Sequence, residues 1–154
     1  FKVREILLFL LFYSIMRKVI SMKEVYISIK PKYTELIKTR VKNYEFRKYL
    51  IKDLKTMFVY ESENSCLKYI MEVGSPICSP NKIEEDGIGN QEFNQLGEYQ
   101  YAYPIIHLYE LKKPIFLTEL RSKYKFCAPQ KYTMATTYPD LKKELDRREK
   151  IEIY

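Results

Sequence analysis

The chain has no tryptophan, one histidine, three cysteines and four glycines among 154 residues. Each scarcity narrows the chemistry. The single histidine, His107, lies in the apolar run Pro104-Ile105-Ile106-His107-Leu108-Tyr109 and reads as a strand histidine; it has no partners for a zinc site or for a Ser-His or Cys-His catalytic arrangement. Cys66, Cys78 and Cys127 are odd in number and lack C-x-x-C spacing, which predicts reduced, mostly buried thiols and no metal or redox centre. All four glycines fall between Gly74 and Gly97. Among them Gly87-Ile88-Gly89 has neither a preceding strand nor a third glycine, so it is not a nucleotide-binding loop. Long apolar runs are also missing. The longest, Ile6 to Met16, has eleven residues, against the ~20 needed to cross a bilayer. It matches a signal-peptide core in length, but Arg17-Lys18-Val19-Ile20-Ser21 supplies no small-residue cleavage site. Residues 1–21 are therefore expected to be an extension upstream of a natural start at Met22, the alternative being a peripheral or weakly membrane-associating helix. The remainder is expected to be cytoplasmic.

What is present is enough for one core, with 46% apolar residues in a chain of single-domain length. Its net charge of +7 is concentrated: residues 22–55 carry ten Lys/Arg against four Asp/Glu, whereas residues 56–154 carry thirteen against fifteen. Such a segment suits a phosphate-bearing partner or, equally, a solvated lysine-rich surface. Val25-Tyr26-Ile27-Ser28-Ile29 alternates like a strand. Pro31 to Arg40 reads as a helix with proline in its first turn. Lys42-Asn43-Tyr44-Glu45-Phe46-Arg47 follows as a second strand, with Tyr44 and Phe46 on one face and Glu45 and Arg47 on the other, about 7 Å apart. Lys55–Tyr60 and Leu67–Val73 form a predicted hairpin. Residues 74–97 read as an insert, expected to be mobile beside a pocket, with helical signals at 81–86 and 91–96. A tyrosine-rich strand at 99–111 has Pro104 at an edge or bulge, and helices are predicted at 116–124 and 139–149.

Strand, helix and then a strand carrying Lys-x-x-Glu-x-Arg resemble the start of the ASCH domain family, relatives of the PUA RNA-binding fold. The family motif is Gly-x-Lys-x-x-Glu-x-Arg. Lys42, Glu45 and Arg47 match its last three fixed places, and Arg40 stands where glycine is usual, so the turn before the strand must form without an easy left-handed residue. The resemblance runs from about Met22 to about Ala135, with further echoes at Phe58–Glu61, Ile105–Tyr109, Pro114–Leu120 and Ala128–Gln130. It implies an α+β domain at 22–135, built as a small PUA-like open β-barrel with flanking helices, followed by a helical tail at 136–154. It further implies two kinds of enzyme. Some ASCH proteins are amidohydrolases that remove an acyl group from N4-acetylcytidine, using a lysine and a threonine of the motif and a glutamate from a later segment. Lys42 matches that lysine, Glu45 takes the place of the threonine, and Glu84, Glu85 and Glu92 all fall where the later glutamate would. Others are linked to RNA cleavage, for which Lys42, Glu45 and Arg47 form the charged set.

Taken together, the expected function is binding of RNA or a modified nucleoside in a basic cleft. There the Glu45–Arg47 pair reads a base edge, Lys30 and Lys42 meet phosphate, and Tyr26, Tyr60 or Tyr132 stacks on the ring. No metal or cofactor is called for, and the oligomeric state stays open. A hydrolase using Lys42 and Glu45 in the same cleft is the alternative. A regulatory protein-interaction module, with the ion pair purely structural, is a third reading.

Overall fold

The structure is a computed structural model that describes residues 2–20 and 22–154, so Phe1 and Ser21, within the expected extension, lie outside the described residues. Helix α1 (Lys2–Ile20) carries exposed Val3 and exposed apolar side chains from Ile6 to Met16. No helix among the described residues is long and apolar enough to cross a membrane.

Eight strands form one curled mixed sheet: β1 (Lys23–Ile29), β2 (Tyr44–Arg47), β3 (Leu54–Glu61), β4 (Cys66–Val73), β5 (Ile77–Cys78), β6 (Tyr101–Phe116), β7 (Thr133–Met134) and β8 (Lys150–Glu152). The main path is β2-β6-β4-β3-β1-β7, with β5 and β8 also paired to β6. Among the described residues only β1 and β3 pair in parallel; the crossover between them holds α2 (Pro31–Lys38) and β2, since a parallel pair cannot be joined by a tight turn. The result is an α+β curled half-barrel, in line with the open β-barrel with flanking helices that the resemblance implies.

The central strands are buried on both faces, and their period of two divides the core into layers. Val25, Ile27, Ile29, Met57, Val59 and Met71 pack with Ile37 of α2. Tyr26, Phe58, Tyr60 and Ile70 point the other way, packing with Leu120 of α4 (Leu117–Tyr124), Phe126, and Leu141 and Leu145 of α5 (Pro139–Arg147). The chain beyond residue 135 thus contributes to the core: α5 covers the sheet and the Tyr154 hydroxyl donates to the Ile37 carbonyl at 2.7 Å.

Two local expectations need correction. Residues 81–86 form an irregular stretch with bends at Asn81 and Glu85 instead of a helix, because the Asn94 side-chain amide takes both backbone groups of Ile83 at 2.7 and 2.8 Å. The second signal is a helix, α3 (Asn90–Asn94). Of the cysteines only Cys66 is buried, Cys78 and Cys127 being exposed. The missing motif glycine, by contrast, has its expected consequence: Arg40 adopts φ +62°, a left-handed conformation that costs a non-glycine residue roughly 1–2 kcal/mol. Its guanidinium lies 3.9 Å from the centroid of the Tyr154 ring, which offsets part of that cost.

Candidate functional site

Strands β2 and β7 are the two ends of the sheet path, yet the curl brings their flanks together. The Tyr49 hydroxyl, just after β2, donates to the Lys131 carbonyl before β7 at 2.8 Å. The Tyr49 and Tyr132 rings pack at a tilt of 35° with centroids 5.4 Å apart. The seam left open holds a cleft of about 560 Å³, lined by Ser28–Lys30, Tyr33, Lys42, Glu45–Tyr49, Ile88, Gly89, Glu92, Tyr99, Gln130 and Lys131. That volume lies within the usual ~300–1,000 Å³ of small-molecule pockets.

Lys42, Glu45 and Arg47 meet at its wall. Glu45 uses one carboxylate oxygen for each neighbour, Oε2 lying 3.3 Å from Lys42 Nζ and Oε1 2.8 Å from Arg47 Nη2. Lys42 also donates to the Tyr44 carbonyl, and its ammonium sits 4.6 Å from the Phe46 ring centroid. Those partners fix the position of the Lys42 side chain at the cleft wall. Burial disfavours the Arg47 charge, but Glu45 and Tyr49 outweigh it and hold the guanidinium above its ordinary pKa.

The insert forms another wall, clamped to the motif strand by short polar side chains. Asn90 Nδ2 donates to Asn43 Oδ1 at 3.0 Å, Asn43 Nδ2 to the Asp86 carbonyl at 3.1 Å, and the Ile88 N–H to the Val41 carbonyl at 2.9 Å. The segment expected to be mobile is therefore tied down at several points. The Tyr44 hydroxyl donates to Glu85 Oε2 at 3.1 Å; burial, then Glu85, pushes that phenol up. Gly89 caps α3 at φ +87°, and a Cβ there would stand 2.6 Å from Phe46 Cε2. Only glycine meets both demands.

Of the expected ligand-facing residues, Lys30, Lys42, Glu45 and Arg47 line the cleft. Tyr26 and Tyr60 do not. Strand alternation sends both into the layer beneath α4 and α5, where their ring centroids lie 5.5 and 5.8 Å from that of Phe126. Tyr132 lies outside the lining and contacts it through Tyr49. The aromatic walls are instead Tyr33, Phe46, Tyr49 and Tyr99. Three of these fall in or next to the motif strand and helix, the one signal that pointed to them. Among Glu84, Glu85 and Glu92, only Glu92 lines the cleft. The described residues contain no group of three or more His, Cys, Asp or Glu able to hold a metal.

A curled sheet whose open seam bears the Lys-x-x-Glu-x-Arg strand defines an ASCH-type, PUA-like fold. The solved ASCH protein of Zymomonas mobilis shares it: TM-score 0.60 at 16% identity, covering 82% of this chain and 96% of that one. Two variants of that protein, one Ser→Ala and one Tyr→Phe, align with TM-scores of 0.61 and 0.63 at 17% and 15% identity, each covering 82% of this chain and 97% and 99% of theirs. At that identity the likeness is one of fold. No protein-family model and no curated protein matches the chain.

Proposed function

We propose that the seam cleft binds RNA or a modified nucleoside, in keeping with the cytoplasmic location expected from the sequence. The observation that carries this reading is the union in one cavity of Lys42, Glu45 and Arg47 with Tyr33, Phe46, Tyr49 and Tyr99. Aromatic faces stack on any base, and cations at the same wall meet its phosphates. The cavity beside the ion pair favours this reading over a purely structural motif. Fluorescence anisotropy with short single-stranded RNA tests it. Affinity should fall with rising salt, as released counterions require, and Lys30→Ala should lower the salt slope by about one. A flat titration would refute phosphate contact.

Glu92 favours a second reading, a small hydrolase acting on a nucleoside or RNA in the same cleft. An acid from the insert then shares the cavity with Lys42 and Glu45, the carboxylate serving as general base toward water and the Lys42 charge stabilising a developing oxyanion. Glu92→Gln should abolish turnover of N4-acetylcytidine or RNA while leaving binding intact. Unchanged turnover would exclude that role.

A further inference from the structure

Two cations share one carboxylate at the cleft wall. Lys42, Arg47 and Glu45 are only 8%, 14% and 9% exposed at their side chains. The Tyr44 carbonyl that accepts from Lys42 adds no formal charge, so one unit of positive charge stays buried without a counter-ion. That is a costly arrangement in a low-dielectric site. The surroundings do not supply the missing negative charge. Lys30, Lys48 and Lys131 also line the cavity, with Glu92 as the other acid. Even counting Glu98, which pairs with Lys48, five cations face three carboxylates.

The open donors are on Arg47. Lys42 is already occupied by Tyr44, Glu45 and the Phe46 ring. Arg47 directs Nη2 to Glu45, makes only a 3.5 Å contact from Nη1 to the Tyr49 hydroxyl, and has a buried Nε without a partner. Through Tyr49 it is continuous with Lys131, whose carbonyl accepts from that hydroxyl and whose ammonium lies 4.3 Å from the Tyr49 ring centroid. A guanidinium fork flanked by a flexible ammonium is the donor set that phosphate takes best. A phosphomonoester carries about −1.5 to −2 charges at pH 7, close to the excess.

We propose that the Arg47 wall of the cleft is an anion site, so that its ligand is a phosphorylated nucleotide and not a neutral nucleoside; this rests on the ligand class proposed above and names its charged group. The phosphate sits on the Arg47 fork beside Lys131, with the base against the aromatic walls.

Calorimetric titration of the full chain, at fixed ionic strength, with the four ribonucleosides, their 5′-monophosphates and inorganic phosphate tests this. The preferred monophosphate should bind at least tenfold more tightly than its nucleoside, and that advantage should vanish in Arg47→Gln. This variant leaves Lys42 and Glu45 as a balanced pair and so keeps the fold, which a thermal melt checks. As a readout independent of any variant, inorganic phosphate should raise the melting temperature of the native chain above that in chloride of equal ionic strength. Equal binding of nucleoside and monophosphate would overturn the anion site and leave the nucleoside reading standing. A monophosphate advantage that survives in Arg47→Gln would overturn the assignment to Arg47. Stabilisation by phosphate without binding of any nucleoside or nucleotide would support the anion site and overturn the nucleotide reading, and absence of every response would overturn both.

Discussion

Replacing Glu45 by Gln keeps the side-chain volume and removes the one negative charge between Lys42 and Arg47. In the native chain its two oxygens lie 3.3 and 2.8 Å from those cations, with all three side chains mostly buried. The amide leaves two adjacent cations with no carboxylate between them. Breaking a buried pair by deleting one partner costs about 3–5 kcal/mol. Water reaches the cleft, which places the expected loss near the lower figure. At ~2–4 °C per kcal/mol for a chain of this size, a loss of ~3 kcal/mol lowers the melting temperature by about 6–12 °C. Arg47→Gln should cost less, because it leaves one cation opposite one carboxylate, and adding it to Glu45→Gln should restore part of the lost stability. Urea unfolding followed by circular dichroism, with the m-value checked for constancy, measures all three variants. A loss below about 1 kcal/mol for Glu45→Gln, or a larger loss for Arg47→Gln, would refute the charge reasoning.

A chain beginning at Met22 should melt within a few degrees of the full one, since α1 leaves its apolar side chains exposed from Ile6 to Met16; loss of cooperative unfolding would show that the segment belongs to the core. Gly89→Ala combines φ +87° with a 2.6 Å approach to Phe46, so a loss of at least ~1 kcal/mol and weakened ligand binding are expected, and neutral behaviour in a melt and a binding titration would contradict this geometry. Burial, then the nearby Glu61, pushes the Cys66 thiol up, Lys68 opposing. Colorimetric thiol titration at pH 8 should therefore modify Cys78 and Cys127 quickly and Cys66 only on unfolding. Because the folded-state pKa of Cys66 is raised, its contribution to stability is complete below the unfolded thiol pKa near 8.5 and is lost as pH rises through the folded value. A urea-unfolding series from pH 7 to 10 that shows no such loss relative to Cys66→Ala would refute it.

Local signals carried the elements. Alternation at Val25–Ile29, Pro31 opening a helix, the polar turn between β3 and β4, and Pro139 before an i,i+4 charged stretch each act within a few residues, and each of these elements forms where the sequence places it. The motif strand was legible for the same reason, because Glu45 and Arg47 two residues apart must share a face. Tyr26 and Tyr60 were not legible as core residues. Both faces of β1 and β3 are apolar and covered, so alternation says that the layers differ without saying which one adjoins the cleft. Nor could the sequence choose Glu92 over Glu84 and Glu85, since the path of the insert is set by amide clamps from Asn43 to Asn90 and Asn94 to Ile83, 47 and 11 residues apart. The cleft itself belongs to the tertiary structure alone. Tyr49 and Lys131, 82 positions apart, meet only because the accumulated twist of the sheet brings its two ends together. Pairing depends on short-range pattern, whereas closure depends on the summed geometry of every strand between.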